Sequence, residues 1–112
     1  MLDFRVLEPG EEIGFSEGAV ECSPHRAPDF SIDIDAFHRI LDHGLAQIAS
    51  DVGLSFFQDA LLEWESCKSV LAVLVRIDES LKSASAQTET REMTDLFSRA
   101  VRQNLGIVVV CD

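Results

Sequence analysis

The chain has 112 residues, of which 46% are hydrophobic, and a formal net charge of −11. This length and hydrophobic content predict one folded domain with a single core and exclude a disordered chain. The shortage of lysine and arginine argues against nucleic acid as a direct partner, since phosphate binding depends on cationic side chains. It argues equally against an anionic membrane surface.

The N-terminal sequence and the cysteines indicate a cytoplasmic protein. Residues 1–12 have neither the basic start nor the apolar stretch of a signal peptide. The longest apolar runs are far shorter than the ~20 residues of a membrane-spanning helix. Cys22, Cys67 and Cys111 are an odd number without close pairing, which is typical of reduced thiols that behave as small apolar residues.

The first part of the chain predicts a strand followed by uncertain extended structure. Leu2, Phe4 and Val6 alternate with polar residues, which predicts a strand over residues 2–8. Residues 1–22 as a whole could form a strand or hairpin extension of the domain. Two prolines within residues 23–28 indicate a loop.

A first helix is predicted after this loop. Asp33 or Asp35 can cap its N-terminus, where a negative charge is favourable. The glycine of the Asp51–Gly53 stretch ends it. Apolar residues at helical spacing form its buried stripe: Ile34, Phe37, Leu41, Leu45 and Ile48.

A short acidic helix is predicted over residues 55–66. Ser55 and Gln58 have the spacing of a capping box, and Phe57, Ala60, Leu61 and Trp64 make a core-facing stripe. On this interpretation Asp59 and Glu63 lie four residues apart on another face. Like charges at that spacing destabilise a helix slightly, so the pair is a candidate contact for a partner molecule.

The remaining elements predict a parallel sheet. Residues 69–77 are rich in β-branched residues and favour a buried strand, although the same run also fits a helix. A polar loop over 82–87, a helix over 88–104 capped by Thr88 or Thr90, and a strand over 107–111 follow. Strand, helix and strand make a βαβ unit with parallel strands. The predicted fold class is therefore α/β, with a small, mostly parallel sheet covered by three or more helices.

The acidic residues are concentrated in one half of the sequence. Residues 1–65 contain 14 acids and three bases, whereas residues 66–112 contain six of each. This asymmetry favours a localised acidic face, although ordinary solubility charge would produce a similar count.

The sequence contains no catalytic signature, so we expect a protein that is not an enzyme and that uses no cofactor or metal. Cys22 and His25, three residues apart, and His38 and His43, on different faces of the first helix, do not form the paired ligands of a zinc site. No cysteine has a partner base that would activate it as a nucleophile.

The order of elements resembles that of the barstar family, the intracellular inhibitors of the ribonuclease barnase. The resemblance extends over about residues 19–112 and is carried by four stretches: Ala19-Val20 as a strand, AFHRIL (36–41), Asp59-Ala60-Leu61, and LFSRAVRQNLGIVVV (96–110). Three features depart from the family pattern. The loop at 53–58 lacks the family's aromatic–Gly–x–Asn pattern, Arg99 stands where an acidic contact is expected, and the first ~20 residues have no counterpart in the family's minimal fold.

The resemblance implies a barstar-like layered arrangement and an inhibitor or immunity protein that occludes the active site of a basic ribonuclease or other nuclease toxin. Asp59 and Glu63 would mimic the phosphates of RNA. The expected partner-binding residues are Asp51, Phe56, Asp59, Glu63 and Glu65. The alternative is an interaction or homo-oligomeric assembly module whose acidic surface is only solvated. The sequence leaves the oligomeric state open.

Overall fold

Four short strands form the main sheet in the computed structural model, which describes residues 1–11, 13–16, 19–20, 27–80 and 84–111. The strands in chain order are β1 (Leu2–Val6), β2 (Phe15–Ser16), β3 (Ala19–Val20), β4 (Phe30–Ile32), β5 (Ala60–Leu62) and β6 (Ile107–Cys111). The main sheet has the order β4–β1–β6–β5, and β2 and β3 form a separate hairpin. Within the described residues, the first strand of the chain is therefore an interior strand of the sheet.

Every neighbouring pair of strands in the main sheet is antiparallel. β1 runs antiparallel to β4 and to β6, and β5 runs antiparallel to β6. The prediction of a mostly parallel sheet was therefore wrong, although helices and strands are both present as expected. The error came from residues 69–77: they belong to a helix, so the predicted βαβ unit has no first strand.

Helix α3 (Trp64–Ser80) contains the whole β-branched run. Its buried residues are Cys67, Val70, Leu74 and Ile77, spaced by three or four positions as in an amphipathic helix. Val75 is exposed on the opposite side. The helical alternative was the correct one, because packing against a neighbouring helix overrides the weak preference of valine for strands.

The predicted helix over residues 55–66 is also absent. Residues 55–58 form a tight turn closed by a bridge between Ser55 and Gln58. Ser55 Oγ accepts from Phe57 N at 3.1 Å, which is a local serine turn and not a capping box. After Asp59, residues 60–62 form strand β5, and α3 starts one residue beyond the strand, at Trp64.

The first predicted helix is confirmed, but it is divided. Helix α1 (Ile34–Ile40) is capped by Asp33, whose Oδ1 accepts from Ala36 N at 2.7 Å. A π-type turn (Leu41–Leu45) follows, in which Gly44 has φ 127°, and then α2 (Ala46–Val52), which ends at the left-handed Gly53.

The π-type turn changes which residues of this helical segment are buried. The fully buried positions are Ala36, Phe37, Ile40, Leu45 and Ala49. The step from Ile40 to Leu45 is five residues, not three or four, as a wide turn requires. Of the predicted stripe, Leu41 and Ile48 are half-buried, and Ile34, at the start of α1, is exposed.

The C-terminal helix and strand are confirmed. Helix α4 (Ala84–Arg102) starts earlier than predicted, so residues 84–87 are not a loop and the buried Thr90 is not a cap. α4 packs against α3, and both cover one face of the sheet. Phe97 meets Phe4 of β1 there, with ring centroids 6.2 Å apart. Phe4 and its neighbours Leu2 and Val6 are buried as the alternation predicted.

Gly106 allows β6 to begin close to β5. A Cβ atom at this position would lie 2.8 Å from the backbone oxygen of Leu62. The Gly106 carbonyl also accepts from Leu7 N at 2.9 Å, so both sides of this glycine are occupied by backbone.

We predict that Gly106→Ala lowers the free energy of unfolding by about 1–3 kcal/mol, because backbone must shift to accept the methyl group. Urea denaturation measures the change. Ser69→Ala, on the exposed side of α3, is the control and should stay within about 0.5 kcal/mol. Equal stability of the two variants would contradict the proposed crowding.

Candidate functional site

A shallow groove of about 280 Å³ lies between the α1–α2 segment and the turn that precedes β5. We call it the aromatic groove. Its lining is mostly apolar: Phe37, His38, Leu41, Ala46, Ala49, Ser50, Leu54, Ser55, Phe56 and Phe57. It is open to solvent and shallow, a shape that suits a side chain of a partner protein better than a substrate.

Two consecutive phenylalanines make one wall of this groove. The half-buried Phe56 packs near Phe37 of α1, with ring centroids 6.3 Å apart. Phe57 stands at 77° to Phe56 with centroids 6.2 Å apart. The Phe57 side chain is 78% exposed, the highest value among the exposed large hydrophobic residues that the structure describes.

Several hydrogen bonds fix the turn that carries these rings. Leu54 N donates to Ala49 O at 2.8 Å, which ties the turn to the end of α2. The Cys111 thiol donates to the backbone oxygen of Phe56. The exposure of Phe57 is therefore not the result of a loose loop: these bonds hold the residues before it, and Asp59 is held after it.

Asp59 is part of the structural support of this turn. Its Oδ1 accepts from Cys111 N at 2.7 Å and its Oδ2 accepts from Val20 N at 2.8 Å. One carboxylate thus joins the end of β6 and the β2–β3 hairpin to the start of β5. Charge-assisted bonds of this kind are stronger than neutral ones.

The five expected partner-binding residues are not gathered into one surface. Phe56 lines the aromatic groove, and Asp51 is exposed beside it near the end of α2. Asp59 has both oxygens bonded to backbone. Glu63 and Glu65 are exposed at the other end of β5, where α3 begins. Asp59 and Glu63 do not share a helix face, because no helix covers residues 55–63.

Other acids of the N-terminal half also hold parts of their own chain. Asp29 Oδ2 accepts from Val6 N at 2.8 Å, and its Oδ1 lies 3.4 Å from Arg99 Nη2. Asp33 caps α1, and Asp3 Oδ1 accepts from Ser31 Oγ at 2.7 Å. Several of the acidic residues in 1–65 therefore stabilise the fold through contacts within the chain, and they do not form one common binding surface.

No carboxylate lines the aromatic groove, but the segment of chain that forms it has an excess of acidic residues. Between residues 33 and 59 the chain carries five aspartates and one arginine. That arginine, Arg39, is paired with Glu89, with Nη2 and Oε2 at 3.3 Å. Asp35 and Asp42 are each about one turn from His38, which lines the groove.

The cysteines and histidines show no catalytic arrangement among the described residues. Burial raises the pKa of Cys67 to about 11, which disfavours the reactive thiolate at neutral pH. His38 and His43 are exposed, and the described residues contain no group of three His, Cys, Asp or Glu placed to hold a metal ion. Cys22 and His25 lie outside the described residues.

Phe57 was predicted to face the core, but its side chain is exposed in the structure. The predicted helix of residues 55–66 was the source of this error, since its stripe needed Phe57 on the inner face. A pair of adjacent phenylalanines was the available signal: in a helix or a strand, two consecutive residues point in different directions.

Comparisons with protein-family models, with curated proteins and with solved structures found no match for this chain. The resemblance to the barstar family thus depends on the quoted sequence stretches alone and stays a prediction. No helix among the described residues is both long enough and apolar enough to cross a bilayer.

We predict that Asp59→Ala lowers the free energy of unfolding by about 2–4 kcal/mol, because it leaves two backbone N–H groups without an acceptor. Glu63→Ala is the matched control, because it also replaces a carboxylate by a methyl group. Glu63 is exposed, so its loss should alter the free energy of unfolding by at most about 0.5 kcal/mol. Urea denaturation of both variants decides the matter. An Asp59 variant as stable as the control would show that this carboxylate does not support the fold.

Proposed function

We propose that this protein is a non-enzymatic binding protein that recognises a basic protein partner through the aromatic groove and Phe57. The observation that carries the proposal is the exposed Phe57 ring on a backbone fixed by Asp59, Cys111 and α2. Burying such a ring in a complex contributes about 1.5–3 kcal/mol. A preordered anchor also avoids the entropy of ordering a loop during binding.

The charge around the groove specifies the class of partner. Aspartates outnumber basic residues in this part of the chain, and the single arginine is engaged with Glu89. A basic surface on the partner would be attracted to this region, which accelerates the encounter and makes it sensitive to salt. Phe57 would then supply the desolvated centre of the interface and the carboxylates its rim.

The more specific form of this proposal is a cytoplasmic inhibitor or immunity protein for a basic ribonuclease or other nuclease toxin. The sequence stretches that resemble the barstar family favour this form, although the acidic helix and the parallel strands that the resemblance implied are absent from the described part of the structure. The protein would cover the active site of the toxin, with exposed carboxylates such as Asp51 in the places of the substrate phosphates. Asp59 supports the surface in this version and is not itself a contact.

A panel of basic ribonucleases, barnase among them, tests the proposal. We expect equimolar binding by calorimetry and inhibition of RNA cleavage, both weakened between about 50 mM and about 500 mM salt. Binding that is insensitive to salt would contradict the role of charge. Absence of binding to every member, together with a concentration-dependent dimer in sedimentation, would instead favour the homo-oligomeric assembly module.

We predict that Phe57→Ala weakens binding to the responding nuclease by about 30-fold or more, the loss typical of a central aromatic anchor. Its unfolding midpoint should not change, because the ring is mostly in solvent. Val75→Ala on α3 removes another exposed apolar side chain and should leave affinity unchanged. Equal affinities of the two variants would exclude Phe57 as the anchor.

A further inference from the structure

A second groove, of about 500 Å³, lies at the opposite end of β5. We call it the tryptophan groove. Leu7, Ile13, Leu61 and Trp64 give it an apolar lining, and Glu11 and Glu63 add two carboxylates. Its volume is within the range of ligand-binding clefts and is sufficient for a short stretch of a partner chain.

The walls of this groove are held by contacts that do not involve a ligand. Leu7 N donates to Gly106 O at 2.9 Å, which fixes the segment after β1 against the start of β6. The indole N–H of Trp64 donates to Val101 O at 3.0 Å, which fixes the ring against the end of α4. The parts of the groove formed by Leu7 and Trp64 are therefore preformed, so a ligand would not need to order them.

The chemistry of the lining favours a cation with an aliphatic stem. Lys68 Nζ lies 4.2 Å from the centre of the Trp64 ring, so this ring already has a cation against it and the charge of a ligand would meet a carboxylate instead. Lys68 does not line the groove. Glu63 is exposed at the rim, while Leu61 offers apolar surface below it. Lysine and arginine side chains combine an apolar stem with a charged end and match both parts.

We propose that the tryptophan groove binds a lysine or arginine side chain from a basic segment of the protein partner. The stem lies along Leu61 and Leu7, and the charged end meets the Glu63 carboxylate. This inference rests on the proposed function, because it assigns a second contact to the same basic partner. The partner would then contact this protein with a protruding cationic side chain at one end of β5 and with the surface that receives Phe57 at the other.

Trp64 makes the inference measurable without the partner. It is the single tryptophan of a chain that has no tyrosine, so the tryptophan fluorescence reports on this groove alone. The probes are a blocked trilysine peptide, a blocked triarginine peptide, and a trilysine peptide with acetylated side chains. We expect a saturable fluorescence change with the first two and none with the third, which keeps the stem and loses the charge.

Variants of the two neighbouring glutamates provide the matched comparison. Glu63→Gln should weaken trilysine binding about fivefold, the effect of one charged contact. Glu65→Gln removes an equally exposed charge that does not line the groove and should change it less than twofold. The inference is overturned if acetylated trilysine gives the same response, or if the two variants behave alike.

The experiment separates this inference from the proposed function. A nuclease that binds through Phe57, combined with no response of Trp64 to the cationic peptides, would overturn the tryptophan groove alone. A saturable response to both cationic peptides, combined with no basic protein that binds the chain, would overturn the proposed function and leave a cation-binding groove.

Discussion

The contact on which both the fold and the candidate site depend is the Asp59 carboxylate with two backbone N–H groups. Val20 is 39 residues away in sequence and Cys111 is 52 residues away, and both donate to this side chain. The bond to Cys111 continues the end of β6 where its pairing with β5 stops. The bond to Val20 attaches the β2–β3 hairpin to the sheet. Because Asp59 follows the turn that bears Phe57, the same contact determines where that ring is presented.

The parts of the fold that the sequence predicted are those with strong local periodicity. β1 alternates cleanly, α4 has one apolar stripe, and β6 is a continuous apolar run, so each was recognisable without its neighbours. Residues 55–77 were interpreted wrongly because their local patterns are ambiguous. Valine-rich residues 69–77 fit a strand by composition and a helix by spacing, and only packing against α4 decides between the two.

The candidate site was predicted only in part, because some of the hydrogen bonds that form it join residues far apart in the sequence. Asp51 and Phe56 were both among the predicted partner-binding residues. Phe56 lines the aromatic groove, and Asp51 is exposed beside it. The role of Asp59 depends on donors in β3 and β6, which no spacing within residues 55–66 can show. Phe57 was misplaced for the opposite reason: its local pattern suggested burial, whereas the tight turn after Leu54 directs it outward. Long-range hydrogen bonds and turn geometry are both invisible to a periodicity argument.

Gly44 has a further consequence for the way this sequence encodes two helices. If this glycine were deleted, the buried positions around it would be separated by three or four residues throughout, as in one uninterrupted helix. The residues on both sides thus have the pattern of a single helix, and one inserted residue bends it. Both halves line the aromatic groove, α1 through Phe37 and α2 through Ala49. The concave shape of the aromatic groove thus follows from the bend at Gly44, which lets two stretches with the pattern of one helix face the same opening.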